Sequence, residues 1–584
     1  MIRHIRWQVA LIFIGVLLLG GLLAYLAAAF TIQREPAPGG TFVEGIIGSP
    51  QFLNPLLCQY SNSNADRDLC SLIFSGLVRF DEHGNPQPDL ADHWDISADG
   101  VAYTFHLRPN ARWQDDQPVT ADDVVFTLQL LQDPNYPVAP DLAALWRTVQ
   151  ITEVNRLAVQ MTLQEPLTPF LQYASIGLLP KHLLNNVTAA DLADLPFNRK
   201  PIGSGPFKVE ALGNTEPGQP QHVLLDAYSG YYGRQSYIAK MDFKFYPDFQ
   251  TMLAAYRAGE IQALDQVPDS ELAAVRDVPT LNLYTAPMSA YTMIFLNQGD
   301  NVPFFQDQQV RQALLLGLDR QRMLDEILHG QGILANSPII PGTWAFATDL
   351  APVVPDQDRA RQLLGAAGWL LPAAPKPVTD DMGMPIEPVK PTTQSNLPPI
   401  RVKDGVPISF TLYTKNDPVH VALANSIAQQ WLEIGVKASV VPVQVGLVPN
   451  YLAPRAYQAA LVEVQMLNNP DPDPYPFWHE TQASIGQNFS QYRDRDMSEV
   501  LEQARRTVDV QARIDLYHKF QQMFAERVPG ILLYYPLYTY AVSDKVLKVQ
   551  IGPIALPADR FRTLSNWYLL TRRVIVSSAS GGKP

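Results

Sequence analysis

The segment ISFTLYTKNDPVHVALANSIAQQWLEIGVKASVVPV, residues 408–443, contains two hydrophobic patterns. ISFTLYT and VKASVVPV have the composition of strands. The part between them, PVHVALANSIAQQWLEIG, has the apolar spacing of a helix that ends at Gly435, a residue suited to helix C-termini. The order predicts a β-α-β unit and places the chain in the mixed α/β class.

The same alternation continues along the chain. TADDVVFTLQLLQD (120–133) predicts a helix that starts with a capping box between Thr120 and Asp123. We expect one long helix over VRQALLLGLDRQRMLDEILHG (310–330) and a pair of strands over ILLYYPLYTYAV (531–542). No repeat of about 20–50 residues is found, so a solenoid is not expected.

Size and charge limit the function classes. A chain of 584 residues is long enough for three or four domain-sized units. Its net charge of -13 argues against nucleic acid as a partner. Residues 372–407 are rich in Pro and lack hydrophobic periodicity, which indicates a loop insertion.

The N-terminus predicts the compartment. Residues 9–30 are uncharged and would span about 33 Å as a helix, enough to cross a bilayer core of about 30 Å. Arg3 and Arg6 precede this run, so residues 1–8 form a cytoplasmic tail and the rest lies outside. Residues 31–40 are expected to form an extended linker. A cleaved signal peptide, with residues 27–29 as its processing site, is the alternative.

The only thiols are Cys58 and Cys70. In an exported chain they are expected to form a disulfide, and two buried free thiols are the alternative. A metal or redox site is not expected, because the spacing is not C-x-x-C and no His-rich segment accompanies it.

The segment NPDPDPYPFWHE, residues 469–480, combines acids, aromatics and Pro. It does not match a calcium loop that starts at Asp471, because position six is Pro476 and position twelve is Gln482. Nucleotide-binding loops, the G-x-S-x-G elbow and the H-E-x-x-H motif are also missing from the sequence. We therefore expect no enzyme, no cofactor and no metal. A solute-binding site, concave and lined with aromatics, suits the composition better.

Several stretches together resemble family 5 of the extracellular solute-binding proteins of ABC transporters, which includes dipeptide, oligopeptide and nickel binders. Their number, order and spacing carry the resemblance. The matching stretches are FLNPLL (52–57), LIFSGLVRFDEHGNPQPDLADHWDIS (72–97), YTFHLRPNARWQDDQPVTADDVVFTL (103–128), PIGSGPFKV (201–209), LDAYSGYYG (225–233), AYRAGEIQAL (255–264), VRQALLLGLDRQRML (310–324), DRARQLLGAAGW (358–369), DPDPYPFW (471–478) and AERVPGILLY (525–534).

The resemblance implies a periplasmic-binding-protein-like clamp of type II, cluster C, with two lobes and an extra accessory domain. The implied divisions are lobe I over 41–85, 200–298 and 532–584, the accessory domain over 86–199, and lobe II over 299–531, which includes the Pro-rich insertion. Hinges are expected near 296–300 and 532–535.

The resemblance also implies a function. The chain would capture peptides or a similar small polar solute outside the membrane and deliver it to an ABC permease by hinge closure. It would lie on the extracytoplasmic side, anchored by its N-terminal helix, or be free in that compartment if the helix is cleaved. A membrane-anchored sensor or scaffold with the same fold is the alternative.

Ten residues are candidates for ligand contact through the resemblance. In the peptide binders an acid precedes the DPD segment and pairs with the peptide ammonium, and Asn468 aligns there. Asp471 and Asp473 could substitute for it or cap local turns. The aromatic candidates are equally typical of core packing. The full set is Gln59, Tyr60, Ser61, Tyr291, Trp344, Asn468, Asp471, Asp473, Tyr475 and Trp478.

Overall fold

Helices and strands alternate throughout the computed structural model, which describes residues 2–58, 61, 63–137, 140–216, 219–372, 399–466 and 471–575. The helices are α1 Ile2–Thr31, α2 Pro55–Cys58, α3 Asn64–Ile73, α4 Ala121–Gln132, α5 Pro140–Thr148, α6 Lys181–Leu184, α7 Phe249–Arg257, α8 Leu272–Arg276, α9 Gln308–Leu316, α10 Arg320–Glu326, α11 Gln357–Ala366, α12 Pro418–Glu433, α13 Tyr475–Trp478, α14 Arg495–Arg506 and α15 Val510–Arg527.

The first eleven strands are β1 Ile32–Ala37, β2 Thr41–Ile47, β3 Val78–Phe80, β4 Pro86–Pro88, β5 Ala91–Ile96, β6 Ala102–Leu107, β7 Gln150–Asn155, β8 Ala158–Thr162, β9 Phe207–Glu216, β10 Gln219–Ala227 and β11 Lys240–Tyr246. The others are β12 Ala263–Leu264, β13 Leu281–Pro287, β14 Ala290–Leu296, β15 Gly332–Leu334, β16 Val402–Lys403, β17 Val406–Pro407, β18 Ser409–Lys415, β19 Lys437–Val443, β20 Ala459–Gln465, β21 Ile531–Ser543 and β22 Leu570–Ile575.

The predicted β-α-β unit is confirmed. Strands β18 and β19 pair in parallel, starting with Ser409 beside Lys437, and α12 connects them. The side chain of Asp417 accepts a hydrogen bond from the backbone of His420, and Pro418 occupies the first turn. Both features stabilise a helix start, because they satisfy or remove unpaired backbone donors.

One continuous strand, β21, connects the two ends of the large sheet. The strand order is β19-β18-β20-β14-β21-β12-β2-β11-β10-β9, with β13 and β15 also paired to β21. The first half of β21 pairs with β14 and β15, and the second half pairs with β12 and β13. The predicted strand pair over 531–542 is therefore wrong. Pro536 interrupts the sequence pattern but lies inside the strand, where the pairing partner changes.

We call the point where β21 changes its pairing partner, at 536–537, the first crossing between the two halves of the sheet. The clusters of buried hydrophobic residues lie on either side of it. Two clusters contain residues before 287 together with residues from Tyr538 onward. The other two contain residues from Tyr291 to Tyr535. The second crossing is the link between β13 and β14, which lies before the predicted segment 296–300. In that segment the side chain of Asn297 donates to the backbone oxygens of Arg455 and Tyr457, inside one half.

A smaller antiparallel sheet of order β5-β6-β8-β7 packs against α4, which in turn contacts α5 and α6. The capping box at the start of α4 is confirmed, with the backbone of Thr120 2.9 Å from Oδ2 of Asp123. Trp113 and Trp146 of this region share one core with Phe42 of β2 in the large sheet and with Trp567 near the C-terminal end of the described chain. The small sheet is thus packed onto the first half.

The single helix predicted over 310–330 is wrong. The chain forms α9 and α10, because Asp319 accepts a hydrogen bond from the backbone of Arg322 and starts a new helix. The residues expected to form a linker include a strand, since β1 pairs antiparallel with β22.

Helix α1 exposes its side chains over residues 10–25. Among the residues that the structure describes, no helix combines the length and the hydropathy of a membrane span.

Candidate functional site

Asp471 and Asp473 are buried and each is bound by an arginine. Nη2 of Arg513 in α15 lies 2.8 Å and 3.0 Å from the carboxylate oxygens of Asp471. Nε and Nη2 of Arg505 in α14 lie 2.8 Å and 2.6 Å from Oδ2 of Asp473. Burial opposes the charge of Arg513, but Asp471 and Tyr517 outweigh it and keep the pKa of Arg513 above its usual range. The two acids fasten the segment to these helices.

The aromatic residues of the same segment are also packed. The ring of Tyr475 stacks on His479 at 4.0 Å and lies 3.8 Å from the guanidinium carbon of Arg505. Trp478 is 1% exposed and contacts Phe524 edge-on at 4.7 Å. Trp478 is therefore a core residue, and Tyr475 is half-buried against a cation.

The other two aromatic candidates lie in the same cluster. Tyr291 is 1% exposed, and burial raises its pKa above the usual range. Trp344 is half-buried and lies 5.7 Å from the ring of Tyr517 and 5.0 Å from the guanidinium carbon of Arg513. Six of the predicted residues thus gather in the second half: Tyr291, Trp344, Asp471, Asp473, Tyr475 and Trp478.

Ser61, the described candidate near residue 60, belongs to the first half. The hydroxyl of Ser61 donates to Oδ2 of Asp66 at 2.5 Å. Cys58 and Cys70 pair as a disulfide that joins α2 to α3 and fixes this loop. Gln59, Tyr60 and Asn468 lie outside the described residues, as does most of the Pro-rich insertion.

A cavity of about 940 Å³ opens beside Ser61. Its wall includes residues 47–49, at the end of β2, and Asp265 and Gln266, directly after β12. These two strands are parallel neighbours, so the cavity lies at the carboxyl ends of parallel strands, where ligands of open α/β sheets bind.

Asp66 holds one wall of this cavity in place through hydrogen bonds to residues that line it. Its Oδ1 accepts from the backbone groups of Gln51 and Phe52 at 2.5 Å and 3.1 Å, and its Oδ2 accepts from Ser61. Burial raises the pKa of Asp66 while these hydrogen bonds lower it, and burial is the larger effect.

Behind the cavity, one buried arginine forms ion pairs with two buried acids. Arg560 contacts Oε1 of Glu44 at 2.8 Å and Oδ2 of Asp68 at 2.6 Å, and all three side chains are fully buried. The hydroxyl of Tyr540 donates to Glu44 at 3.1 Å. Burial raises the pKa of Glu44 to about 7, although Arg560 opposes this shift.

Asp265 is a third acid near this arginine, and it also lines the cavity. It is 3% exposed. Burial raises its pKa to about 7, with Arg560 and the backbone of Gln266 and Ile47 acting in the opposite direction. No sequence motif marks Asp265, and its only sequence signal is its place after a short strand.

One cluster of side chains that could together hold a metal ion is found among the described residues, and it lies on the outer face of the small sheet. Ligand atoms of His93, Asp95 and His106 lie within 4.8 Å of one another. The two rings stack at 4.3 Å, and Nε2 of His106 is 2.9 Å from Asp95. Sequence spacing does not predict this group, because the pairing of β5 with β6 brings it together.

Two halves with mixed α/β content, joined by crossing strands, and a cavity at parallel-strand ends define a two-lobed binding protein of the periplasmic type. Residues 85–486 match the family described as "Bacterial extracellular solute-binding proteins, family 5 Middle". Because this match covers more than half of the chain, the chain belongs to family 5 of the bacterial extracellular solute-binding proteins.

Individual relatives agree with this assignment. The oligopeptide-binding protein AppA of Bacillus subtilis is 28% identical over 521 residues, which cover 88% of this chain and 89% of AppA. The dipeptide-binding protein of Escherichia coli is 25% identical over 576 residues, which cover 92% of this chain and 96% of that protein. The structure of Bacillus subtilis AppA with a nonapeptide matches with a TM-score of 0.65 at 27% identity and covers 92% of this chain and 100% of AppA.

Proposed function

We propose that this chain captures peptides or a similar small polar solute outside the membrane and delivers it to an ABC permease. The observation that carries the proposal is the cavity of about 940 Å³ at the carboxyl ends of the parallel strands β2 and β12. Its volume lies near the upper end of the range of about 300–1,000 Å³ that is typical of small-molecule sites.

Capture would proceed by closure of the two lobes. Rotation at 287–290 and 535–537 would bring the wall at 471–478 toward the cavity of the first half. A solute that contacts both walls stabilises the closed state by its differential affinity for it. We place lobe I at 41–85, 200–287 and 537–575, the accessory domain at 86–199, and lobe II at 290–535.

The candidate residues take different parts in this proposal. Ser61 contacts the solute from the first lobe, together with Gln59 and Tyr60. Asn468, Trp344 and Tyr475 would contact it from the second lobe. The ion pairs of Asp471 and Asp473 and the packing of Tyr291 and Trp478 support that wall from behind.

The N-terminal helix would anchor the protein at the extracytoplasmic face. This part of the proposal rests on the uncharged run 9–30 and on the exposure of residues 10–25. An anchor would raise the effective concentration of the protein near a permease. Carbonate extraction of membranes tests it, because a spanning helix stays in the pellet and a cleaved or peripheral chain is released.

The capture proposal is tested by thermal unfolding with alanine peptides of two to nine residues. A ligand at 100 times its Kd stabilises the folded state by about 2.7 kcal/mol. We expect one or more lengths to raise the Tm. Peptides recovered after incubation should be intact by mass spectrometry, since no catalytic step is proposed. Unchanged Tm values with every peptide, and with a wider panel of sugars, polyamines and metal complexes, would contradict the proposal.

A further inference from the structure

We infer that Asp265 binds a positively charged ammonium group of the captured solute at the inner wall of the cavity. This inference rests on the proposed capture of a solute in this cavity, and it assigns the solute's chemistry. Asp265 follows β12 directly and lines the cavity together with Gln266.

The first support is the state of its carboxylate. Oδ1 of Asp265 is buried and has no hydrogen-bond partner among the described residues. The carboxylate accepts backbone hydrogen bonds from Ile47 and Gln266, but a buried polar oxygen left without a donor is costly, and such atoms are normally hydrogen-bonded. Asp265 is 3% exposed, so a partner for Oδ1 would have to come from the cavity that Asp265 lines.

The second support is the charge balance around it. The described cation that acts most strongly on Asp265 is Arg560, and its guanidinium is already shared by Glu44 and Asp68. Arg560 therefore faces three acids, and the second cation nearby, Arg67, acts on Asp66 and Asp68. A cation that enters from the cavity would offset this excess.

The third support lies across the gap between the lobes. Burial raises the pKa of Asp269, in the turn after β12, and the charge of Glu463 on β20 raises it further. The negative charges of Asp269 and Glu463 therefore act on each other, and Gln465 donates to Oε1 of Glu463 at 2.9 Å. Asp269 directly follows Pro268 of the cavity wall, and negative charge beside a cavity attracts cations and repels anions.

The test is isothermal titration with alanine peptides of two to nine residues, each with a free and with an acetylated N-terminus, and with 1,4-diaminobutane. Three variants are compared with the wild type. Asp265→Asn removes the proposed partner. Glu260→Gln removes an exposed charge just before β12, at the opposite end of that strand. Gln266→Lys places a competing cation in the cavity, and it serves as the second test if Asp265→Asn does not fold.

We expect free-amine peptides to bind the wild type about tenfold or more tightly than their acetylated forms, as for a charge-assisted hydrogen bond. Asp265→Asn and Gln266→Lys should remove this difference, and Glu260→Gln should keep it. If Asp265→Asn weakens both forms equally, or neither, the inference is wrong while peptide capture stands. If only diaminobutane binds and Asp265→Asn abolishes that binding, the inference stands and peptide capture fails. Binding of none of these compounds contradicts both.

Discussion

Arg513 and Asp471 form a buried ion pair, with Nη2 of the arginine 2.8 Å from Oδ2 of the acid. The partners belong to α15 and to the DPD segment, which are far apart in sequence. The pair therefore fixes the lobe II wall that carries the aromatic candidates. A charge already neutralised in this way is a poor partner for a solute cation.

We predict that Asp471→Asn lowers the free energy of unfolding by about 3 kcal/mol, because removing one partner leaves Arg513 buried without its counter-charge. Denaturant unfolding measures this change. Glu326→Gln is the matched control, since Arg322 and Glu326 form an exposed pair with 65% and 60% of their side chains accessible, and such pairs contribute about 0–1 kcal/mol. A loss for Asp471→Asn no larger than that of the control would show that the pair does not stabilise the wall.

The disulfide between Cys58 and Cys70 should stabilise the loop beside the cavity. Closing a short loop contributes about 2–4 kcal/mol. We expect a reducing agent to lower the Tm of the wild type and to leave the double variant Cys58→Ser/Cys70→Ser unchanged. Equal Tm values for the wild type with and without reductant would contradict the prediction.

The free energy of unfolding should depend on pH through Asp265. Burial raises its folded pKa from an ordinary value near 3.8 to about 7. Between these values the folded state keeps a proton that the unfolded state releases, so stability falls as pH rises from about 4 to 7. Asp265→Asn removes this contribution. The free energy of unfolding of the variant, relative to that of the wild type, should therefore increase by up to a few kcal/mol between pH 4 and pH 8.

Glu260→Gln is the control for this pH dependence, because Glu260 is exposed. It should follow the wild type at every pH. If Asp265→Asn follows the wild type as well, Asp265 is not the group that titrates.

Local patterns predicted the elements that local interactions form. The β-α-β unit and the capping box of Thr120 with Asp123 were expected, because neighbouring residues determine them. The single helix predicted over 310–330 is wrong, because Asp319 caps the start of a second helix inside that pattern. The strand pair over 531–542 was wrong because Pro536 is tolerated where β21 changes its partner.

The site was harder to predict for the same physical reason. Asp471 and Asp473 stand next to the aromatic candidates in the sequence. Their arginine partners lie 42 and 32 residues further along the chain, in α15 and α14. Asp265 carries no motif, and only the pairing of β12 with β2 places it at the cavity. Both features depend on long-range contacts, which one sequence does not reveal.

Small-angle X-ray scattering of the protein with and without a saturating solute tests the clamp most directly. The solute is the alanine peptide with the largest Tm shift, or the compound that mass spectrometry identifies in the purified protein. Closure about 287–290 and 535–537 predicts a smaller radius of gyration in the bound state. A bound protein with the same radius of gyration as the free protein would contradict capture by closure of the two lobes.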